Sequence, residues 1–351
     1  MTRRVLVVRL DGAGDVLLAG PAVRAVAAAR DTEVTLLCGP AGTDAGLLLP
    51  GVVDVITWAA PWVLADPPPV VGGEVDALVR ELAARRFAEA VVLTSFHQSS
   101  LPTALVLRLA GIGRITGASV DYPGSLLDVR LRPGETLPDD LPEPERALAV
   151  VAAAGFTPAT GDHGRLAVRT GTPPASLRTA RAGGRAYVVL HPGAAVGARR
   201  WPAEHHGAAV ELLAARGWRV VVTGGVGERA LTAQVAGRHG LDLGGRTSFA
   251  ELAGVLHGAD AVIVGNTAAA HLAAAVGTPV VSLFAPVVPA VRWRPYGVPH
   301  VLLGDQRAAC RDTRARDCPV PGHPCLAGVG PAEVVAAVDQ LTRPGEWGVP
   351  A

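Results

Sequence analysis

The run Arg4-Val5-Leu6-Val7-Val8-Arg9-Leu10, followed at once by Asp11-Gly12-Ala13-Gly14-Asp15, constrains this chain more than any other feature. A continuous apolar run suits a strand buried on both faces of a parallel sheet, and a glycine turn leading into a helix suits its crossover connection. The pattern recurs. Residues 33–38, 52–58 and 90–94 read as strands, with helices over 15–29, 75–86 and 101–109. Strands alternating with helices predict an α/β fold with a doubly wound parallel sheet.

A chain of 351 residues suits two domains better than one core. A stretch rich in Pro, Asp and Glu (131–144) and a helix (145–154) precede a Pro-, Gly-, Thr- and Ser-rich segment, 169–184, which is the expected linker. A second strand–helix series follows, with strands at 186–190, 219–223, 261–264 and 280–284 and helices at 203–216, 228–238, 249–256 and 268–276. The expected architecture is two Rossmann-like domains facing across a cleft: 1–168, the linker 169–184, 185–329, and a terminal helix and tail over 330–351. Pro331 marks that helix's first turn, where a missing N–H costs nothing.

Charge excludes some partners. The 32 basic and 31 acidic residues leave a net charge of +1, and they are scattered, so no nucleic-acid partner is expected. The basic side chains are all Arg, a composition typical of a GC-rich genome. No apolar stretch reaches the length of an integral membrane segment, so a cytoplasmic protein is expected, with peripheral membrane association left open. Four cysteines are too few for a disulfide framework in a chain this size.

The glycine turn resembles a dinucleotide fingerprint, but Leu17 occupies the place of the third glycine, which weakens a dehydrogenase reading. What remains is Asp15 at the carboxyl edge of the first strand, either a reactive carboxylate or a helix cap. In the second half, His191-Pro192-Gly193-Ala194 ends a strand and Arg199-Arg200-Trp201-Pro202 follows. A guanidinium near a glycine turn suits a diphosphate, although an arginine pair in a loop is often merely solvated. Gly265-Asn266-Thr267-Ala268-Ala269-Ala270-His271 opens a helix whose first-turn amides form an anion site, with His271 either a core histidine or a phosphate donor. Glu228, after Thr223-Gly224-Gly225, is placed for ribose hydroxyls or simply for the helix dipole, and Gly244-Gly245 leaves room for a nucleobase. Ser248 and Glu251 form a capping box. Cys310, Cys318 and Cys325, with His323, lack the spacing of a zinc ribbon.

Segments 5–25, 191–202, 243–252 and 262–286, together with Cys-Pro-x-x-Gly-His-x-Cys at 318–325, resemble the ADP-heptose:lipopolysaccharide heptosyltransferases, glycosyltransferase family 9. The resemblance implies a GT-B fold and an inverting, metal-independent transfer from a nucleoside-diphosphate sugar, with no bound cofactor or metal. It places the catalytic base on Asp15, beside Gly14, and the group stabilising the leaving diphosphate on Arg199. Donor contacts fall on Gly193, Ala194, Arg199, Glu228, Gly245, Asn266, Thr267, Ala268, Ala269 and His271. Asn266 and Ala268 stand where the family usually has Asp and Gly, so the donor is heptose or a related sugar, ADP-linked by resemblance. Acceptor candidates are Gly14, Ser95, His97, Gln98 and Ser100. The acceptor is a hydroxyl-bearing saccharide, lipid-linked saccharide or small natural product. A sugar-nucleotide epimerase or hydrolase, or a non-catalytic sugar-nucleotide-binding protein, remains the alternative.

Overall fold

The computed structural model describes residues 2–64, 66–95, 97–177 and 186–343. Of the expected linker and tail, residues 178–184 and 344–351 lie outside the described residues. The chain divides into two compact units, Met1–Val168 and Arg169–Ala351.

The first unit holds strands β1 (Arg3–Arg9), β2 (Thr32–Cys38), β3 (Val52–Thr57), β4 (Glu89–Val92), β5 (Arg114–Ala118) and β6 (Val129–Leu131). They form one parallel sheet in the order β3-β2-β1-β4-β5-β6, with Val5 to Val8 of β1 opposite Glu89 to Val92 of β4. The apolar side chains from Val5 to Val8 are fully buried, which is what helices on both faces of a sheet require. Leu6, Val8, Val92, Ile115, Leu82 and Leu107 belong to one core.

The second unit holds β7 (Tyr187–His191), β8 (Arg219–Val222), β9 (Gly240–Asp242), β10 (Ala261–Gly265), β11 (Val280–Leu283) and β12 (His300–Leu303), in the order β12-β11-β10-β7-β8-β9. Its core joins Leu190, Val222 and Ile263 to Trp201 and to Val334 and Val338 of the helix Pro331–Thr342. Both sheets therefore have the doubly wound order in which the first and fourth strands lie side by side and the winding direction reverses between them. In such sheets ligands bind outside the carboxyl ends of the strands at that switch point. The switch points here are β1/β4 and β7/β10.

The structure differs from the sequence reading in places. The helix expected over 15–29 is two helices, Ala13–Leu18 and Gly20–Ala27, because Pro21, without an N–H, starts a helix more readily than it continues one. Strands β5, β6, β9 and β12 were not expected. Arg24 of the second helix ties the end of the unit down: its Nε and Nη2 donate to the two carboxylate oxygens of Asp162, each at 2.9 Å, and Nη2 donates to the Arg165 carbonyl at 2.7 Å.

Candidate active site

At the switch point of the first unit, a charged residue ends the apolar strand. Arg9 is only 2% exposed, so its guanidinium must find its partners inside the protein. Nη2 donates to Asp15 Oδ1 at 2.9 Å and to Ser95 Oγ at 3.0 Å. Nε lies 2.8 Å from Asp11 Oδ2, and Nη1 lies 3.5 Å from Glu143 Oε2. Burial opposes the charge on Arg9, but Asp11, Asp15 and Glu143 more than compensate and hold it firmly protonated.

Asp15 lies in the first turn of the helix Ala13–Leu18, directly after Gly14. The N-cap is Gly12, and no side chain caps the helix, so Asp15 serves as the partner of Arg9 and not as the cap. The Asp15 side chain keeps 26% of its surface exposed, whereas Asp11 keeps 10%. Burial pushes the Asp11 carboxyl up against the pull of Arg9, and neighbouring Asp15 adds to the rise while Gln98 opposes it, leaving it at about 6.

Gln98 links this cluster to a pocket. Its amide nitrogen donates to Asp11, and its oxygen accepts from the Ser95 amide at 3.2 Å. The pocket, about 180 Å³, is lined by Thr94, Ser95, His97, Gln98, Ser119 and Arg146 among others. Three of the acceptor candidates, Ser95, His97 and Gln98, meet there. Ser100 does not: it is fully buried, and its hydroxyl donates to the Ala118 carbonyl at 2.8 Å, which pins the helix Leu101–Leu109 to β5. Arg9, Asp11 and Glu143 were missed by sequence reasoning. The available signal was a charge directly after the apolar run Val5 to Val8, at the carboxyl end of the strand.

In the second unit the candidate residues gather at the ends of β7, β8 and β10. His191 Nδ1 and Thr223 Oγ1 are 3.0 Å apart, and burial holds His191 below the usual histidine range against the pull of Glu228. Glu228 Oε2 accepts from the Gly225 amide at 2.7 Å, which leads the chain into the helix Arg229–Ala236. Its other carboxylate oxygen lies over Gly193 so closely that a Cβ there would fall 1.9 Å from it. Glycine at 193 thus lets the turn after β7 pass beneath Glu228.

Of the arginine pair, Arg200 folds back, its Nε donating to the Ala194 carbonyl at 2.9 Å, while Arg199 Nη1 donates to the Asn266 carbonyl at 3.2 Å. Trp201 is buried and donates to the Val329 carbonyl at 3.1 Å, with His206 stacked edge-on against it. The Asn266 side chain, 4% exposed, bridges to the next strand: Nδ2 donates to the Ala285 carbonyl and Oδ1 accepts from the Ala285 amide, both at 3.4 Å. Thr267 precedes the helix Ala268–Ala275 in extended conformation and leaves the first-turn amides without a side-chain cap. Ala269 and His271 are buried in that helix.

Gly245 is also required by its own turn. Its φ of +60° needs glycine, and a Cβ there would meet Arg229 Nε at 2.6 Å. Its amide donates to the Gly224 carbonyl and its own carbonyl accepts from Arg229. Ser248 and Glu251 do form the capping box of the helix Phe249–His257. All four cysteines are free thiols, and burial together with Cys310 and Cys318 pushes Cys325 up to about 12. Among the described residues no three His, Cys, Asp or Glu side chains converge as metal ligands, and no helix is long and apolar enough to cross a membrane.

The family model described as glycosyltransferase family 9 (heptosyltransferase) matches residues 75–322, more than two thirds of the chain and including both β4 and the β7/β10 switch point. The chain belongs to glycosyltransferase family 9. Lipopolysaccharide heptosyltransferase 3 of Escherichia coli is 34% identical over 184 residues, covering 48% of this chain and 52% of that protein. Lipooligosaccharide heptosyltransferase 2 of Haemophilus influenzae is 31% identical over 120 residues, covering 32% of this chain and 35% of that protein. The chain thus spans about half the length, or less, of these curated relatives. Among solved structures, the family 9 glycosyl transferase of Veillonella parvula superposes with a TM-score of 0.78 at 15% identity, covering 97% of each chain. The E. coli heptosyltransferase WaaC with ADP-2-deoxy-2-fluoro heptose superposes with a TM-score of 0.72 at 21% identity, covering 96% of this chain and 99% of that one. At such identities the likeness establishes the fold, and this family 9 chain has the GT-B fold of two Rossmann-like domains.

Proposed function

We propose that this family 9 protein is a glycosyltransferase that moves heptose or a related sugar from a nucleoside diphosphate, ADP in the first instance, to an acceptor hydroxyl with inversion. The observation that carries the reading is Asp15: a carboxylate at the first unit's switch point, partly exposed and oriented by a buried guanidinium. In a single displacement the acceptor hydroxyl gives its proton to Asp15 as its oxygen bonds to the anomeric carbon. The bond from that carbon to the diphosphate breaks, and its electron pair leaves on the phosphate oxygen. Arg199 and the first-turn amides of the helix Ala268–Ala275 face that charge with a positive field, so the step requires no divalent ion. Glu228 takes the ribose hydroxyls, with Gly193, Ala194 and Thr267 beside the diphosphate. Ser95, His97 and Gln98 hold the acceptor, a saccharide, a lipid-linked saccharide or a small hydroxylated natural product. The names of the E. coli and H. influenzae relatives favour a saccharide.

Calorimetric titration with ADP, UDP, GDP and ADP-heptose in the presence of a chelator tests the donor, and tight binding of the ADP species is expected. Asp15→Ala should lower transfer from ADP-heptose to lipopolysaccharide-core oligosaccharide by roughly 10²–10⁴-fold while leaving nucleotide affinity nearly intact. Normal turnover in Asp15→Ala would refute the base assignment.

A further inference from the structure

Three carboxylates, Asp11, Asp15 and Glu143, converge on the single guanidinium of Arg9. We propose that Asp11 is a positioning residue that acts through the shared Arg9 guanidinium to set how readily Asp15 accepts a proton. This rests on the reading of Asp15 as the base.

The groups facing Asp11 come from four elements. Arg9 belongs to β1, Asp15 to the helix Ala13–Leu18, Glu143 to the helix Glu143–Ala153, and the neutral amide of Gln98 to the loop after β4. Arg146, one turn beyond Glu143, lines a small cavity with Arg9 and Glu143. His97 lines the neighbouring pocket. Even with Arg146 counted beside Arg9, two guanidinium groups against three carboxylates leave a net negative charge in a corner largely closed to water, and such a surplus favours taking up a proton. Asp11 is less exposed than Asp15, and burial raises its carboxyl against the pull of Arg9, so of the two it is the place for that proton.

The consequence for Asp15 follows from how Arg9 is shared. With Asp11 ionised, the guanidinium divides its attraction between two anions, and Asp11 adds its own repulsion to the negative charge on Asp15. A proton arriving on Asp15 then relieves both. With Asp11 protonated, Arg9 is left to neutralise Asp15 more completely, and Asp15 becomes a poorer proton acceptor. Burial holds the Asp11 carboxyl at about 6, so turnover gains an acid limb that belongs to Asp11 and not to the base itself.

Carbon-13 NMR titration of the Asp11 carboxyl in the ligand-free protein tests the coupling without any substrate. The expected midpoint is near 6 in the wild type, and it should move down in Asp15→Asn because a neighbouring negative charge is gone. A wild-type midpoint at the ordinary aspartate value of about 4, or the same midpoint in both proteins, overturns the proposal. A second arm follows transfer from ADP-heptose to lipopolysaccharide-core oligosaccharide across pH. Asp11→Asn, which fixes the uncharged state, should lower the plateau rate roughly tenfold and move the acid limb to lower pH, where Asp15 itself takes up a proton. A lowered rate with the wild-type limb retained marks a structural role alone and overturns the proposal. Full turnover in Asp15→Asn would instead overturn the base assignment, while the NMR coupling would stand.

Discussion

Replacing Asn266 by Asp changes one side-chain nitrogen to oxygen at a site with almost no water. In the native protein the amide offers a donor to the Ala285 carbonyl and an acceptor to the Ala285 amide, closing the ends of β10 and β11 together. A carboxylate keeps the second bond and loses the first, placing two oxygens 3.4 Å apart with no proton between them. The lost bond and the unpaired carbonyl are worth about 1–3 kcal/mol, and the buried charge adds to this, so a loss of about 2–4 kcal/mol is expected. For a unit of this size that is roughly 5–12 °C in melting temperature, measurable by differential scanning calorimetry. The loss depends on pH with a definite sign. When protonated, the introduced carboxyl again has a hydrogen to give Ala285, so its pKa should be higher in the folded than in the unfolded protein. The variant's stability is then fully present at low pH and is lost as pH rises through the folded pKa. Asn266→Asp should melt near the wild type at pH 4 and well below it at pH 8. Equal melting temperatures at pH 8 would refute the reasoning and would mean that the carboxylate has turned to Arg199, whose guanidinium already reaches the backbone carbonyl of residue 266.

Gly193→Ala should weaken ADP binding by tenfold or more in calorimetric titration, because its Cβ would fall on Glu228 Oε1 and push apart the turn and the carboxylate; unchanged affinity would detach that contact from the nucleotide site. Arg24 holds the Asp162 carboxyl below its usual range, so this pair contributes stability above the unfolded aspartate pKa and loses it as pH falls through the folded one. Asp162→Asn should therefore lower the urea midpoint at pH 7, by about 1–2 kcal/mol in stability, and approach the wild type as pH falls below the ordinary aspartate range and through the folded pKa; parallel curves would refute the linkage.

Much of the fold is legible where a segment's own pattern decides its structure. The β1 run and its glycine turn, β7 before His191-Pro192-Gly193, and β10 before the Ala-rich helix are each fixed by residues next to one another. The short strands are different. Val129-Arg130-Leu131 and Gly240-Leu241-Asp242 have three residues each and no apolar run, and they become strands only because a longer neighbour offers them a free edge. The site divides in the same way. Asp15 and Arg199 stand in recognisable local settings, whereas the role of Arg9 depends on Glu143, which arrives from a helix far along the chain. Ser100 misled because its position after a strand end suggests the surface, while its hydroxyl turns inward to Ala118. Asn266 reads as a missing charge until Ala285 is seen beside it.

The buried guanidinium at the end of β1 also bears on how this protein changes under selection. Charges held out of water often stabilise a fold less than well-packed apolar side chains would, and sites arranged for chemistry tend to be poor sites for stability. Variants selected for heat resistance alone should therefore accumulate apolar replacements at Arg9, Asp11 and Glu143 together, giving a firmer sheet that no longer holds Asp15 in place. Selection that also demands turnover should leave that corner untouched and find its stabilising changes elsewhere in the two sheets.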